Sequence, residues 1–161
     1  MADTETWLRR RRVHAIKEVY VTDTGKERID IWVRADSKVQ WIDFVVTEPS
    51  GPSIRDKAAR EAGAAIKRAE SGKHSDWDAL AAVARVKVVA CALETTGRRG
   101  ATLDAFLREM EAASGVGPSR ETLLTQLSIT MAKFNAQMIR EVAMKASGVK
   151  LARRRFIRPG Q

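Results

Sequence analysis

Two aspartates separated by twelve residues, Asp30 and Asp43, sit inside an otherwise apolar stretch, RIDIWVRADSKVQWIDF, residues 28–44. The β-branched and aromatic residues on either side of RADSK predict two strands, RIDIWV and VQWIDFVVT, joined as a hairpin. If Asp36 and Ser37 form a two-residue turn, facing residues have numbers that sum to 73, and Asp30 stands opposite Asp43. Directly opposed side chains in a sheet have Cβ atoms ~4.5–5.5 Å apart, where like charges repel. Protonation of one carboxyl, a nearby cation such as Arg28, or a divalent metal ion between the oxygens could each offset that repulsion. Mg2+ (or Mn2+) suits the third option, because such an ion commonly takes one or two carboxylates, keeps several waters and completes its shell from a phosphate. Bound there, it would activate water for phosphodiester hydrolysis. The alternative is an edge hairpin whose aspartates face solvent and discourage edge-to-edge pairing.

A lysine bears on the same chemistry. The segment IRDKAAREAGAAIKRAESGKHSDW, residues 54–77, predicts a helix with a stripe of small residues, Ala58, Ala62, Ile66 and Ala69, able to pack closely on a sheet. If the helix persists past Gly72, at a cost of ~1 kcal/mol, Lys73 and Trp77 fall on that stripe. An inward lysine either snorkels out at the end of the stripe or reaches the carboxylates, orienting a water or balancing charge on a phosphate. Glu70, on the same helix, is a secondary candidate, and His74 reads as a surface residue.

The elements that must position these side chains follow from the rest of the chain. At 161 residues, 44% hydrophobic and 30% charged, it has the composition of one globular domain. No stretch approaches the ~18 apolar residues that span a bilayer. The start, MADTETWLRRRR, has no apolar segment of a secretory leader, so an intracellular location is expected. Cys91, the only cysteine, reads as a small buried thiol in VKVVACALE, and one cysteine with two histidines excludes a cysteine-rich zinc site. The net charge of +9 is distributed unevenly, with Arg9, Arg10, Arg11 and Arg12 near one end and Arg153, Arg154, Arg155 and Arg158 near the other. Such clusters suit a polyanion, DNA, RNA or an anionic membrane surface, with nucleic acid expected ahead of a merely solvated basic face, and they also fit a nuclear-import signal, which makes the nucleus the expected compartment. Arg28, Arg98 and Arg99 join them as candidate contacts to the nucleic-acid backbone.

Val13, Ile16, Val19 and Tyr20 recur at helical spacing and predict an N-terminal helix over 6–22. An αβ core over 26–97 follows, with the hairpin, the helix of Ala58 to Glu70, and the apolar run VKVVACALE read as a buried strand. A helical extension over 98–148 holds ATLDAFLREMEAA and a long helix from Ser119 to about Ser147 with Gly148 as its cap, before a basic tail over 149–161. On the long helix Leu124, Leu127, Met131, Phe134, Met138 and Val142 form one stripe, which reads as core packing or else as the face of a homodimer. The fold class is mixed α/β: a small central sheet flanked by helices.

Asp30, twelve residues, then Asp43 in a strand ending DFVVTEP, followed by AAREAGAAIKRAESGKHSDW and an apolar strand ending LETTGRRG, together resemble one known family. It is the restriction-enzyme-like endonuclease domain, of the PD-(D/E)xK superfamily, found at the C-terminal end of site-specific non-LTR retrotransposon polyproteins. The resemblance runs from about Arg12 to Ala146. The family's N-terminal Arg-His element is matched by RVHAIKEVY, its first acid by RID at Asp30, its second by DFVVT at Asp43, and its helical lysine four residues before an aromatic by Lys73 and Trp77. ETTGRRG and LSITMAKFNAQMIR match later landmarks. Ile29 stands where proline is usual, Val45 where the superfamily has its lysine, and Trp77 where tyrosine is more frequent. The resemblance implies a PD-(D/E)xK fold and Mg2+-dependent DNA cleavage, nicking a target strand whose 3′ end primes reverse transcription. It makes Asp30, Asp43 and Lys73 the catalytic set and Asp30 and Asp43 the metal ligands, with Glu18 as a further ligand supplied by the first helix. It also implies a detached endonuclease module, and its rival is an inactive nucleic-acid-binding or protein-interaction module that keeps the fold.

Overall fold

The computed structural model describes residues 2–35, 37–114 and 117–146. The expectations that fall on Asp36, on Gly148 and on the basic tail with Arg153, Arg154 and Arg155 lie outside the described residues.

Helix α1 (Ala2–Arg10) precedes three strands paired in antiparallel succession, β1 (His14–Tyr20), β2 (Arg28–Ala35) and β3 (Lys38–Thr47). One turn of helix, α2 (Arg55–Ala58), leads into α3 (Ala64–Ala84), which returns the chain so that β4 (Lys87–Glu94) pairs parallel to β3. Helices α4 (Ala101–Ser114) and α5 (Arg120–Ala146) follow. The sheet order is β1-β2-β3-β4, so the domain is mixed α/β on a small sheet. Ile31 pairs with Ile42, Trp32 with Trp41 and Ala35 with Lys38, the register in which facing numbers sum to 73.

Alternation along the strands divides most of the apolar residues between two cores, with an exception at Ile29, which departs from the face of Ile31 where the β1–β2 pairing is interrupted at Glu18. One face directs Ile31, Val33, Ile42, Val89, Cys91 and Leu93 against Leu103, Phe106, Leu107 and Met110 of α4, the start of α5 and Trp7 and Leu8 of α1. The other gathers Ile29, Trp41 and Val88 against Trp77 and Ala81 of α3, with Trp32 and Leu80 half-buried beside them. Strand β4 lies at the edge of the sheet yet is buried from Val88 to Glu94, because α3 and α4 both pack on it. That is why its sequence reads as a continuous apolar run.

The N-terminal helix expected over 6–22 is instead α1 followed by β1. Val13, Ile16, Val19 and Tyr20 fit a helical spacing, but the β-branched run gains a full ladder of hydrogen bonds against β2 as a strand. Glu18, with φ of +54°, breaks the alternation that would have revealed the strand. The true helix, α1, buries Trp7 and Leu8, and just beyond it Arg11 is only 4% exposed. The Arg11 guanidinium donates to Ser114 Oγ at 2.7 Å, Pro118 O at 2.8 Å and Glu111 O at 2.8 Å. It also lies 5.1 Å from the Trp7 ring, so it ties α1 to the α4–α5 connection and is not available to a nucleic acid. Gly117 serves the same junction: its φ is +128°, and a Cβ there would meet Arg11 Cγ at 2.7 Å.

Two further expectations change. The helix placed from Ala58 begins at Ala64, after Gly63 turns the chain with φ of +79°; Ala62 is exposed, and Ala64, Ala65 and Ile66 supply the buried contact. On α5 the buried residues are Leu123 and Leu127, while Phe134 is 58% and Val142 is 67% exposed. Core packing therefore accounts for only the first turns of that stripe. Among the described residues no helix is long and apolar enough to cross a membrane.

Candidate active site

Asp30 and Asp43 project from neighbouring strands onto the face that α3 covers. Helix α3 continues through Gly72, which brings its third and fourth turns, with Lys73 and Trp77, over that face. The Lys73 Nζ lies 2.8 Å from Asp43 Oδ2. One turn further on, the Trp77 indole N–H donates to the same oxygen at 2.6 Å. Asp30 Oδ2 accepts a hydrogen bond from the backbone N–H of Phe44 at 2.7 Å. The hairpin register thus sets the aspartates side by side, and the 3.6-residue turn of the helix delivers an ammonium and an indole N–H to one of them.

The electrostatics of the pair are uneven. Burial pushes the Asp30 carboxyl up to about 6; the Phe44 N–H acts against this, hydrogen bonding and repulsion from Asp43 add to it, and the Lys73 ammonium opposes it. Asp43 is itself buried, with its charge met by Lys73 and Trp77. A Lys73 side chain 27% exposed at the rim keeps one flank of the pair open to solvent. Each carboxylate is anchored through Oδ2, which fixes its orientation in the sheet face.

The remaining candidates are placed elsewhere. Glu18 is on β1, not on a helix, and stands between the ladder pairs Lys17↔Ile31 and Val19↔Ile29, where the register puts it across from Asp30. Its exposed carboxylate lies 3.7 Å from Arg28, so the two form a surface pair. Among the described residues no group of three or more His, Cys, Asp or Glu side chains is gathered closely enough to hold a metal ion. Glu70 faces the start of α4, where a Cβ on Gly100 would collide with its Oε1, and burial raises its carboxyl pKa. His74 Nδ1 lies 2.9 Å from Asp78 on the outer side of α3.

Of the arginines, Arg9, Arg10 and Arg12 are exposed around the end of α1, and Arg9 pairs with Glu5 at 2.8 Å. Arg98 lies 3.4 Å from Glu94 and Arg99 3.2 Å from Asp104. The carboxylates of Glu5 and Glu94 are buried while their arginine partners stay exposed at the surface. What sequence reasoning missed is the hydrogen-bonding role of Trp77. The signal was its place one turn after an inward lysine, where any polar atom on the ring must find a partner when buried. No protein-family model matches the chain, and no curated protein matches it in sequence.

Proposed function

We propose that the protein is a metal-dependent endodeoxyribonuclease of the PD-(D/E)xK type, the kind found in site-specific non-LTR retrotransposons. The observation that carries this reading is the pair Asp30 and Asp43 on adjacent strands with the Lys73 ammonium 2.8 Å from Asp43 Oδ2. Two carboxylates fit a Mg2+ or Mn2+ ion that keeps most of its waters and takes its remaining ligands from a phosphate. The raised Asp30 carboxyl fits as well, since a cation beside it would relieve both its burial and its repulsion from Asp43. Held there, the ion would supply a water of lowered pKa and charge stabilisation on the phosphate.

The chain's own residues do the rest. Trp77 and the Phe44 amide fix the two carboxylates, so that neither rotates away from the substrate. Lys73 offsets their charge and, shifted by a small rotation about its flexible stem, places its ammonium against a scissile phosphate oxygen. Exposed arginines at Arg9, Arg10 and Arg12, with Arg28, Arg98 and Arg99, hold the backbone without reading sequence, and Arg153, Arg154 and Arg155 are proposed to join them. The basic clusters, which fit a nuclear-import signal, extend the proposal to a nuclear location.

A second reading rests on the same ion pair. If Lys73 serves only to neutralise Asp43, the fold is a nucleic-acid-binding or protein-interaction module without catalysis. Calorimetric titration with Mg2+ or Mn2+, alongside nicking of supercoiled plasmid, separates the two. The endonuclease reading expects metal binding and nicking in the wild type and loss of both in Asp30→Asn/Asp43→Asn. A wild-type protein that neither binds metal nor nicks would establish the second reading.

A further inference from the structure

The sheet face that carries Asp30 and Asp43 extends past α3. The helix packs on β4 and β3, and the outer part of the face, formed by β1 and β2, bears exposed His14, Ile16 and Arg34 around half-buried Trp32. The ladder aligns them in two cross-strand rows, Ile16 opposite Trp32 and His14 opposite Arg34. The His14 ring meets the Trp32 ring edge-on with centroids 5.5 Å apart, and the Arg34 guanidinium stands 6.0 Å from the Trp32 ring. That is the outer limit of a cation–π contact, ~6 Å, so the guanidinium is not closed down on the indole. Trp32 is two residues from Asp30 on the same face, ~7 Å along the strand. On the other side, a cleft of about 400 Å³ along β1 is lined by Arg9 and Arg12 as well as His14 and Ile16.

We propose that this β1–β2 face is a binding platform for single-stranded DNA, with a nucleobase stacked on Trp32, its neighbouring phosphates on Arg34 and in the Arg9–Arg12 cleft, and the strand running toward Asp30. An accessible indole flanked by cations supplies both halves of single-strand recognition, a flat surface for a base and positive charge for the backbone. A duplex hides the base faces that such a platform binds, so the occupant is an unpaired strand. Charge complementarity points the same way: the chain carries +9, and Arg9, Arg12 and Arg34 are exposed around Trp32, with Arg9 paired to Glu5 and Arg12 and Arg34 offering their charge to a phosphate. The inference deepens the endonuclease reading by naming the form of DNA presented to the site, and rests on that reading only for what happens after binding.

The test is the fluorescence anisotropy of a short labelled oligo-dT strand titrated with the full chain in EDTA, where no cleavage occurs. Oligo-dT should bind more tightly than a duplex of the same length and more tightly than an abasic strand of the same length. Trp32→Ala should weaken oligo-dT binding about tenfold or more, as loss of a stacked base does, while Trp32→Phe retains most of it. Equal affinity for oligo-dT and the abasic strand, or a preference for duplex, would overturn the platform. Those comparisons need only the wild type, so a misfolded Trp32→Ala does not blunt them, and Arg34→Gln should weaken binding without touching the core. Repeating the titration with Asp30→Asn/Asp43→Asn separates the two proposals. Intact oligo-dT binding by a wild type that never nicks plasmid removes the enzyme and leaves the platform.

Discussion

On one face of the sheet Ile31, Val33, Ile42, Val89 and Leu93 meet three helices, α1, α4 and α5, and the buried groups are almost all apolar. On the opposite face one helix, α3, covers part of the surface, and its Lys73 and Trp77 form a hydrogen-bonded cluster with Asp43 beside half-buried Asp30. The first arrangement gains stability from dispersion and from removal of apolar area from water, with no partner to be lost. The second spends burial on charge, which the fold holds only because Lys73 and the indole meet it. A single sheet thus separates an apolar core on one face from a buried charged cluster on the other. The open β1–β2 surface lies on the side of the charged cluster.

The comparison can be broken in order of expected effect. Leu107→Ala, in the apolar core, should cost about 2–5 kcal/mol of stability by leaving a cavity, measured by urea denaturation, with oligo-dT binding unchanged at temperatures where the variant is folded. A loss of binding larger than the loss of folded protein would show that the two faces are coupled. Lys73→Met, on the other face, strands a buried carboxylate and should cost about 2 kcal/mol together with plasmid nicking. A variant of wild-type stability would mean that Asp43 is satisfied without it. Asp43→Asn should also lose stability, since the Lys73 ion pair goes with it.

The smallest effect is on pH dependence. Asp30 is raised in the folded protein, so between its ordinary value and about 6 the native state holds a proton that the unfolded chain has released. Stability therefore falls as pH rises through that window, and ionising Asp30 is what it loses. Denaturation midpoints across the window should show this slope in the wild type and a flatter one in Asp30→Asn, with Mg2+ reducing it if the ion binds there. An unchanged slope in Asp30→Asn would assign it to another group.

Local rules were enough for some of this. The turn between Ala35 and Lys38 is short and flanked by alternating residues, so the register that sets Asp30 beside Asp43 follows from counting. Helical geometry placed Lys73 and Trp77 over the same face once the helix was allowed through Gly72. The first strand was not legible in this way. Its residues fit a helix equally well, and only β2, whose neighbour they become, decides for a strand. Arg11 shows the same limit, because its run of four arginines reads as one charged surface, and nothing local distinguishes the one that Pro118, Ser114 and Glu111 draw inside.

The sequence by itself determined the hairpin, its two carboxylates, the lysine-bearing helix, the buried fourth strand and the excess of positive charge, because each depends on spacing within one segment. Tertiary structure alone decided that Asp43 keeps Lys73 and Trp77, that Glu18 turns to Arg28, that Arg11 is interior, and that the far half of α5 stays exposed. Those outcomes depend on which surfaces meet, and partners distant in the chain compete for the same polar atom or apolar stripe with energies that no single segment encodes.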